Sequence, residues 1–299
     1  MRWASVVLAC ALALAGCGLG PGAERSGGAE IRVTRDFGHE RLGAVRVRKV
    51  RQDETVMRLL RSKFDVRTRY GGRFVQSIRG ISGKGASGHE DWFYFVNGVE
   101  ASVGAAEYTL SPGDVVQWDY RRWDAAMRVP AIVGAFPEPF LHGLNGKRFP
   151  VRVECSDDTR AACRTVKARL EGLGVAATGA SLGTSGTRHV LRVVVAPWRR
   201  AKIVTAVAAL EKEPQQSGVF ARVQGGRLEL LRPDGSVRRR APAGTGLIAA
   251  LAPSEDQIVW LVSGLDHAGV ARAAKALDVR SLRDAYAVAA TPTGTVRLP

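Results

Sequence analysis

Residues able to act as nucleophiles, bases or metal ligands are thinly spread in this 299-residue chain. Ser263, Asp266 and His267 fall within one short run and are the residue types of an acyl-transfer triad. Triad members normally come from separate elements that folding brings together, and Asp266 stands where a following helix needs an N-cap. Gly244-Thr245-Gly246 could present backbone N–H groups to an anion if it opens a helix over Leu247 to Leu251. It lacks the lysine of a P-loop and the third glycine of a dinucleotide fingerprint, so a plain loop competes with that reading. The five histidines are scattered, none at ligand spacing from another or from a cysteine. No two carboxylates suggest a paired acid and base. The expectation is a protein that is not an enzyme, with no catalytic residue, no metal site and no obligatory cofactor.

The cysteines carry a different chemistry. Met1-Arg2, the apolar run Val6 to Leu14 and Leu14-Ala15-Gly16-Cys17 form a basic start, a short hydrophobic region and a small-residue cleavage site, the pattern of a secretory signal. Leu14 to Cys17 also has the form of a bacterial lipobox, which predicts cleavage before Cys17 and lipidation of its sulfur. Membrane attachment through Cys17 would place the protein at the outer face of the bacterial cytoplasmic membrane, or of another envelope membrane. An ordinary cleaved signal is the alternative. Residues 18–30, rich in glycine, would then be a flexible tether. Cys10 leaves with the signal, and Cys155 and Cys163 remain as a candidate disulfide in an oxidising compartment, with two buried free thiols as the alternative.

The formal charge is +16, which raises the question of nucleic acid. The arginines are dispersed, with local clusters only at Arg46 to Arg51 and Arg238 to Arg240, and no helix-turn-helix, zinc or RNA-binding signature accompanies them. Nucleic acid is therefore not an expected partner, whereas association with anionic lipid or wall polymer is compatible with the charge.

The elements that would have to position any site are clearest between Trp92 and Trp118. Trp92 to Val96 is a dense aromatic and β-branched run, Asn97-Gly98 suits a two-residue hairpin turn, and Ser111-Pro112-Gly113-Asp114 is turn chemistry ahead of a strand Val115 to Tyr120. Alternation puts Trp92, Tyr94 and Val96 on one face and Phe93 and Phe95 on the other. Upstream, Ile31 to Thr34 and Ala44 to Val50 read as strands joined through Gly38 to Gly43. Glu54 to Phe64 reads as a helix capped by Asp53, Arg69 to Ile81 holds a strand, and Gly80 to Gly88 is a glycine-rich loop that could serve as a lid or equally be an exposed loop with no partner.

Trp92 to Val99, Gly104, Tyr108 and Pro112 to Trp118, with Thr55 to Leu60 and Phe74 to Ile81 before them, resemble the transcobalamin-like C-terminal domain family, also known as domain of unknown function 4430. The resemblance covers residues 31–124 and implies a β-grasp-like domain, which in the animal cobalamin carriers closes over one face of the corrin ring. It implies cobalamin or another corrinoid as the ligand. A flat ligand needs exposed amphipathic surface, for which Tyr94, Asn97, Val99, Ser102, Gly104, Tyr108, Trp118 and Tyr120 are the candidates. No segment resembles the helical barrel that grips the ligand's other face in those carriers.

Residues 125–148, punctuated by Pro137 and Pro139, read as a linker. Residues 149–299 alternate strands (Phe149 to Cys155, Val190 to Ala196, Ile258 to Val262, Tyr286 to Ala290) with helices. Those helices run from Asp157 or Asp158 to Leu173, over Arg199 to Leu210, from Asp266 to Leu277 and from Ser281 to Ala285. A hairpin crosses Gly225-Gly226. The fold class expected is α+β: a β-grasp-like domain followed by an α/β or ferredoxin-like sandwich. Two functions fit: a binding module for a small ligand or a transporter component, or an envelope lipoprotein that docks a protein or wall polymer.

Overall fold

The computed structural model describes residues 24–299 apart from 125, 185–187, 213 and 255. The signal, the lipobox with Cys17 and the first part of the expected tether lie outside the described residues.

The first domain is built on β1 (Glu24–Arg35), β2 (Glu40–Arg51), α1 (Val56–Lys63), β3 (Val66–Arg69), β4 (Phe74–Ile78), β5 (Ile81–Ser82), α2 (Gly85–Gly88), β6 (Glu90–Val96), β7 (Val99–Glu100) and β8 (Val115–Arg122). Its main sheet has the order β2-β1-β8-β6-β7. β1 and β8 run parallel at its centre and the other pairs are antiparallel. A first hairpin, a helix across one face and a parallel central pair are the arrangement expected of a β-grasp. β1 begins at Glu24, so residues 24–30 are strand rather than tether. The β6–β7 turn is Asn97-Gly98, both at positive φ (52° and 80°), as a type I′ hairpin requires.

α1 is held by an apolar face. Val56, Met57, Leu59 and Leu60 pack with Ile31, Val33, Trp92, Val116 and Trp118 in one buried cluster. Its N-cap is Thr55, whose hydroxyl accepts the Arg58 N–H, and not Asp53. Asp53 instead pairs with the Arg58 guanidinium, because its backbone precedes the helix by too much to reach the first turn. The Gly80 to Gly88 stretch is β5 and the single turn α2, fastened by Trp92 Nε1 donating to Ile81 O at 3.0 Å and Lys84 N to Glu90 O at 2.8 Å. Those ties fasten the expected lid to β6.

The second domain contains β9 (Val151–Cys155), α3 (Arg160–Gly172), β10 (Ala177–Ser181), β11 (Val190–Pro197), α4 (Trp198–Ala201), α5 (Thr205–Ala209), β12 (Ala221–Gln224), β13 (Arg227–Leu231), β14 (Val237–Arg240), β15 (Gly246–Ser254), β16 (Gln257–Gly264), α6 (His267–Lys275), α7 (Val279–Leu282), β17 (Ala287–Thr291) and β18 (Gly294–Leu298). Its main sheet runs β10-β9-β11-β16-β15-β17-β18. The first four strands are parallel, which rules out a ferredoxin-like antiparallel unit and leaves the α/β alternative. β15, β17 and β18 continue it antiparallel. α3 and α6 cover one face; α4, α5 and the small β12–β13–β14 sheet cover the other. Both faces are buried, so the central strands read as continuous apolar runs.

That double burial explains one misreading. Leu247 to Leu251 is strand, not helix: five apolar residues in a row are ambiguous by period, and pairing with β16 and β17 decided them. Arg199 to Leu210 is two short helices broken at Val204, whose backbone is extended (ψ 116°). A 3-10 turn over Asp157–Thr159 precedes α3, and neither aspartate caps it. α7 is capped by Asp278, which accepts the Ser281 N–H, so Ser281 is inside that helix and not its cap. The segment read as a linker is packed: Ala131, Val133, Phe136 and Phe140 are buried in the second core, with both phenylalanine rings against Trp260.

Candidate functional site

The aromatic hairpin projects no open recognition face. Trp118 is 3% exposed and stacks on Tyr94 at 4.9 Å inside the α1 core. The Tyr94 hydroxyl donates to Val103 O, and burial raises its pKa. Tyr120 donates to Ser82 O at 3.1 Å, and burial, with Glu90 beside it, pushes it up to about 12. Tyr108 is half-buried beside the same core, and burial raises its pKa as well. Asn97 is fully buried: its amide donates to Asp114 Oδ1 and Gly143 O and its oxygen accepts Val115 N–H, all at 2.8 Å. Val99 is covered by the connector, bridged to Ala131. Of the eight residues expected at a ligand, Ser102 and Gly104 alone are exposed. Trp118 and Asn97 are corrected outright, because their side chains close the fold and cannot meet a ligand.

The opposite face of the sheet carries Glu30, Arg32 and Thr34 on β1 and Gln117, Asp119 and Arg121 on β8, every one buried. The second domain lies on it. Arg32 Nη1 donates to Gly134 O at 2.8 Å and meets Asp284 at 3.4 Å, Gln117 Nε2 donates to Asp284 O at 3.0 Å, and Tyr286 donates to Asp119 at 2.9 Å. Arg41 also pairs with Asp284. Gly38 (φ +76°) permits the approach, since a Cβ there would lie 1.8 Å from Asp284 O. Phe37, Phe95, Phe220 and Tyr286 close the junction with edge-on ring contacts. Burial pushes Asp119 up to about 6, against hydrogen bonds from Thr34, Tyr286 and Gly38.

Where this junction opens, the β-grasp domain, the connector and α7 enclose a cleft of about 1030 Å³. Its floor is Glu30, which accepts from Arg32 Nε (2.7 Å), Arg46 Nη2 (2.8 Å) and Arg283 Nη2 (2.8 Å). Burial alone would raise Glu30, but these guanidinium groups outweigh it and hold the carboxyl at about 2. Arg148 lies on the rim, exposed and without an ion pair among the described residues. On the connector side His142 Nδ1 sits 2.6 Å from Glu138 Oε1, and Glu138 also accepts the His142 N–H at 2.9 Å. Burial raises the pKa of Glu138 and that of Asp114 nearby, and in both cases His142 works against it. Four guanidinium groups thus face two carboxylates and a histidine. Such a cleft can hold an anion at a domain boundary, a usual place for a ligand.

Sequence reading missed Glu30, Arg32, Arg148, Glu138, His142 and Arg283. The signal present was weak: charged residues alternating along β1, and Glu138 four residues before His142 in a proline-rich stretch. The other expected chemistry is dispersed. Ser263 Oγ donates to Ala196 O, Asp266 caps α6 through the Gly269 N–H, and His267 faces Asp158 at 3.4 Å, so the three form no triad. Gly244-Thr245-Gly246 leads into a strand, with Gly244 N–H given to Asp266, so no helix start is available to an anion. Cys155 and Cys163 are joined by a disulfide that ties the end of β9 to the first turn of α3, Cα to Cα 6.1 Å.

Among the described residues no group of three or more His, Cys, Asp or Glu side chains is placed to hold a metal ion, and no helix is long and apolar enough to cross a membrane. No curated protein matches the chain. Among solved structures, a Ruminococcus gnavus protein described as a "putative metal binding protein" is 14% identical, with 32% of this chain and 98% of that chain covered and a TM-score of 0.26. A likeness that weak carries no argument. Residues 53–122, within the first domain, match one family model, that of the family described as Domain of unknown function (DUF4430).

Proposed function

We propose that the protein is a membrane-anchored, extracytoplasmic binding module that takes a small anionic ligand in the cleft between its domains. It would hold that ligand at the outer face of an envelope membrane, where a transporter component could receive it. One observation carries the reading: Arg32, Arg46 and Arg283 converge on the single carboxylate of Glu30, with Arg148 beside them. The cleft therefore keeps surplus positive charge next to the domain junction. The Nε of Arg283 is buried with no acceptor among the described residues, so that guanidinium retains donor capacity. Phosphate- and carboxylate-bearing molecules match forked donors of this kind.

The corrinoid reading asks for a broad amphipathic face, and the rings expected to supply it are in the core or spend their hydroxyls on backbone carbonyls. The test is a thermal-shift screen of the full mature chain against small phosphates and carboxylates, cobalamin and soluble wall-polymer fragments. A ligand at a hundred times its Kd should add about 2.7 kcal/mol. We expect an anion to raise the melting temperature, and Arg148→Ala to abolish the rise without lowering the ligand-free melting temperature. An anion effect that survives Arg148→Ala overturns the proposed cleft. Stabilisation by cobalamin alone would return the function to the corrinoid class, and stabilisation by wall polymer alone to envelope docking.

A further inference from the structure

A second basic feature lies away from the cleft. A groove of about 990 Å³ runs between β2 and α1, lined by Lys49, Arg51, Arg58, Arg61 and Lys63 against Asp53 and Glu54. Asp53 is already held by Arg58. Arg51, Arg61 and Lys63 are exposed and make no ion pair among the described residues, and so is Arg69 on β3 beyond the groove. Gly71 and Gly72 close one end. They form the tip of the β3–β4 hairpin, flanked by Tyr70, 78% exposed, and Phe74, 44% exposed, whose rings meet edge-on at 6.2 Å. Exposed aromatics beside unpaired cations are what a lipid headgroup region accommodates, the ring ends entering the interface and the cations meeting phosphate.

The chain path selects this face. β1 starts at Glu24, and Glu24 pairs with Arg51 at the groove. From Cys17 to Glu24 a chain reaches at most about 25 Å. An acyl group on Cys17 would therefore keep the Arg51 end of the groove close to the bilayer. The aromatic tip is tied to the same end: Arg73 beside it pairs with Glu107, whose neighbours Tyr108 and Ala105 accept the Val56 and Met57 N–H groups at the start of α1.

We infer that the β2–α1 groove and the Tyr70–Phe74 tip form a membrane-docking face that rests on anionic phospholipid headgroups and orients the anchored protein. This rests on the lipid-anchored reading of Cys17, and the two can fail separately. The mature chain, residues 17–299 carrying Cys17→Ser, has no acyl group, so vesicle binding by it reports the protein surface alone. We expect it to sediment with phosphatidylglycerol-rich vesicles, to be released by salt, and to ignore phosphatidylcholine vesicles. The variant R51E/R61E/K63E/R69E should lose more than about tenfold in partitioning, since each cation near an anionic surface contributes about fivefold. Y70S/F74S should lose less, with an unchanged melting temperature.

A control variant reverses four exposed arginines elsewhere, R199E/R200E/R238E/R239E, and should bind as the parent does. Equal loss in the control would show that net charge, not this face, attracts the bilayer, and would overturn the inference. So would equal binding to neutral vesicles, or binding to a soluble anionic polymer with none to vesicles. Incorporation of labelled palmitate into the full chain tests the anchor itself. A chain that takes up no palmitate yet binds anionic vesicles through this face keeps the face and removes the anchor.

Discussion

The two faces of the first domain's sheet bury the same strands by opposite means. On one, Ile31, Val33, Val116 and Trp118 lie under α1 in an apolar core. On the other, one residue along each strand, Glu30, Arg32, Thr34, Gln117, Asp119 and Arg121 lie as deeply under the second domain. The apolar face is held by area removed from water, which is tolerant of small shifts. The polar face pairs most of its donors and acceptors, leaving Gln117 Oε1 and Arg121 Nε without a partner among the described residues, and a carboxylate or guanidinium left wholly unpaired there is costly. Arg121 shows the device: fully covered, it donates to Ala126 O (2.7 Å) and Met127 O (2.9 Å) and lies 3.8 Å over the Phe93 ring.

The contrast is sharpest when each face loses one member. Trp118→Ala should cost about 3–5 kcal/mol and loosen the β-grasp domain. Asp284→Asn, which leaves Arg32 without its ion partner across the junction, should cost about 3 kcal/mol. It should also split thermal unfolding into two transitions, read by calorimetry. A single transition in Asp284→Asn would mean that the polar face does not couple the domains.

A pH series separates two members of the polar face. Asp119 has a folded pKa of about 6, above its unfolded value, so its contribution is present below about pH 4 and lost as pH rises through 6. Glu30, held at about 2, works in reverse: its contribution is present above about pH 4.5 and lost as pH falls toward 2. Denaturant midpoints should therefore show Asp119→Asn flattening the slope between about pH 4 and 6, and Glu30→Gln flattening the acid limb. If neither slope changes, these groups are not the ones that titrate with folding.

The smallest effect is expected from Tyr286→Phe, which removes one hydroxyl from the Asp119 carboxylate while keeping the ring packing. It should cost about 1–2 kcal/mol and move the Asp119 transition to higher pH. A cost no larger than that of an exposed substitution would show that the tyrosine ring, rather than its hydroxyl, closes the junction.

The order of strands and helices in the first domain, the Asn97-Gly98 turn, the hairpin at Gly225-Gly226, the α6 cap at Asp266 and the α+β class were readable from sequence. Each rests on local chemistry, a period of two or 3.6, a positive φ or a side-chain cap, that needs no distant partner. Leu247 to Leu251 was not readable, because an apolar pentamer buried on both sides has no period to report. Tyr94, Trp118 and Tyr120 were recognisable as a recognition-type cluster by residue type alone, yet the α1 core takes up their rings and the carbonyls of Val103 and Ser82 take the hydroxyls of Tyr94 and Tyr120. The alternation Glu30, Arg32, Thr34 on β1 has the pattern of a solvated face. Only tertiary structure made it the junction and the floor of the cleft, since Asp284, Tyr286 and Arg283 reach it across more than two-thirds of the chain or more than half, and nothing local in either segment names the other. Residue types and short-range order were set by sequence; which polar groups meet was decided by the docking of two domains, where long-range pairing and desolvation act together.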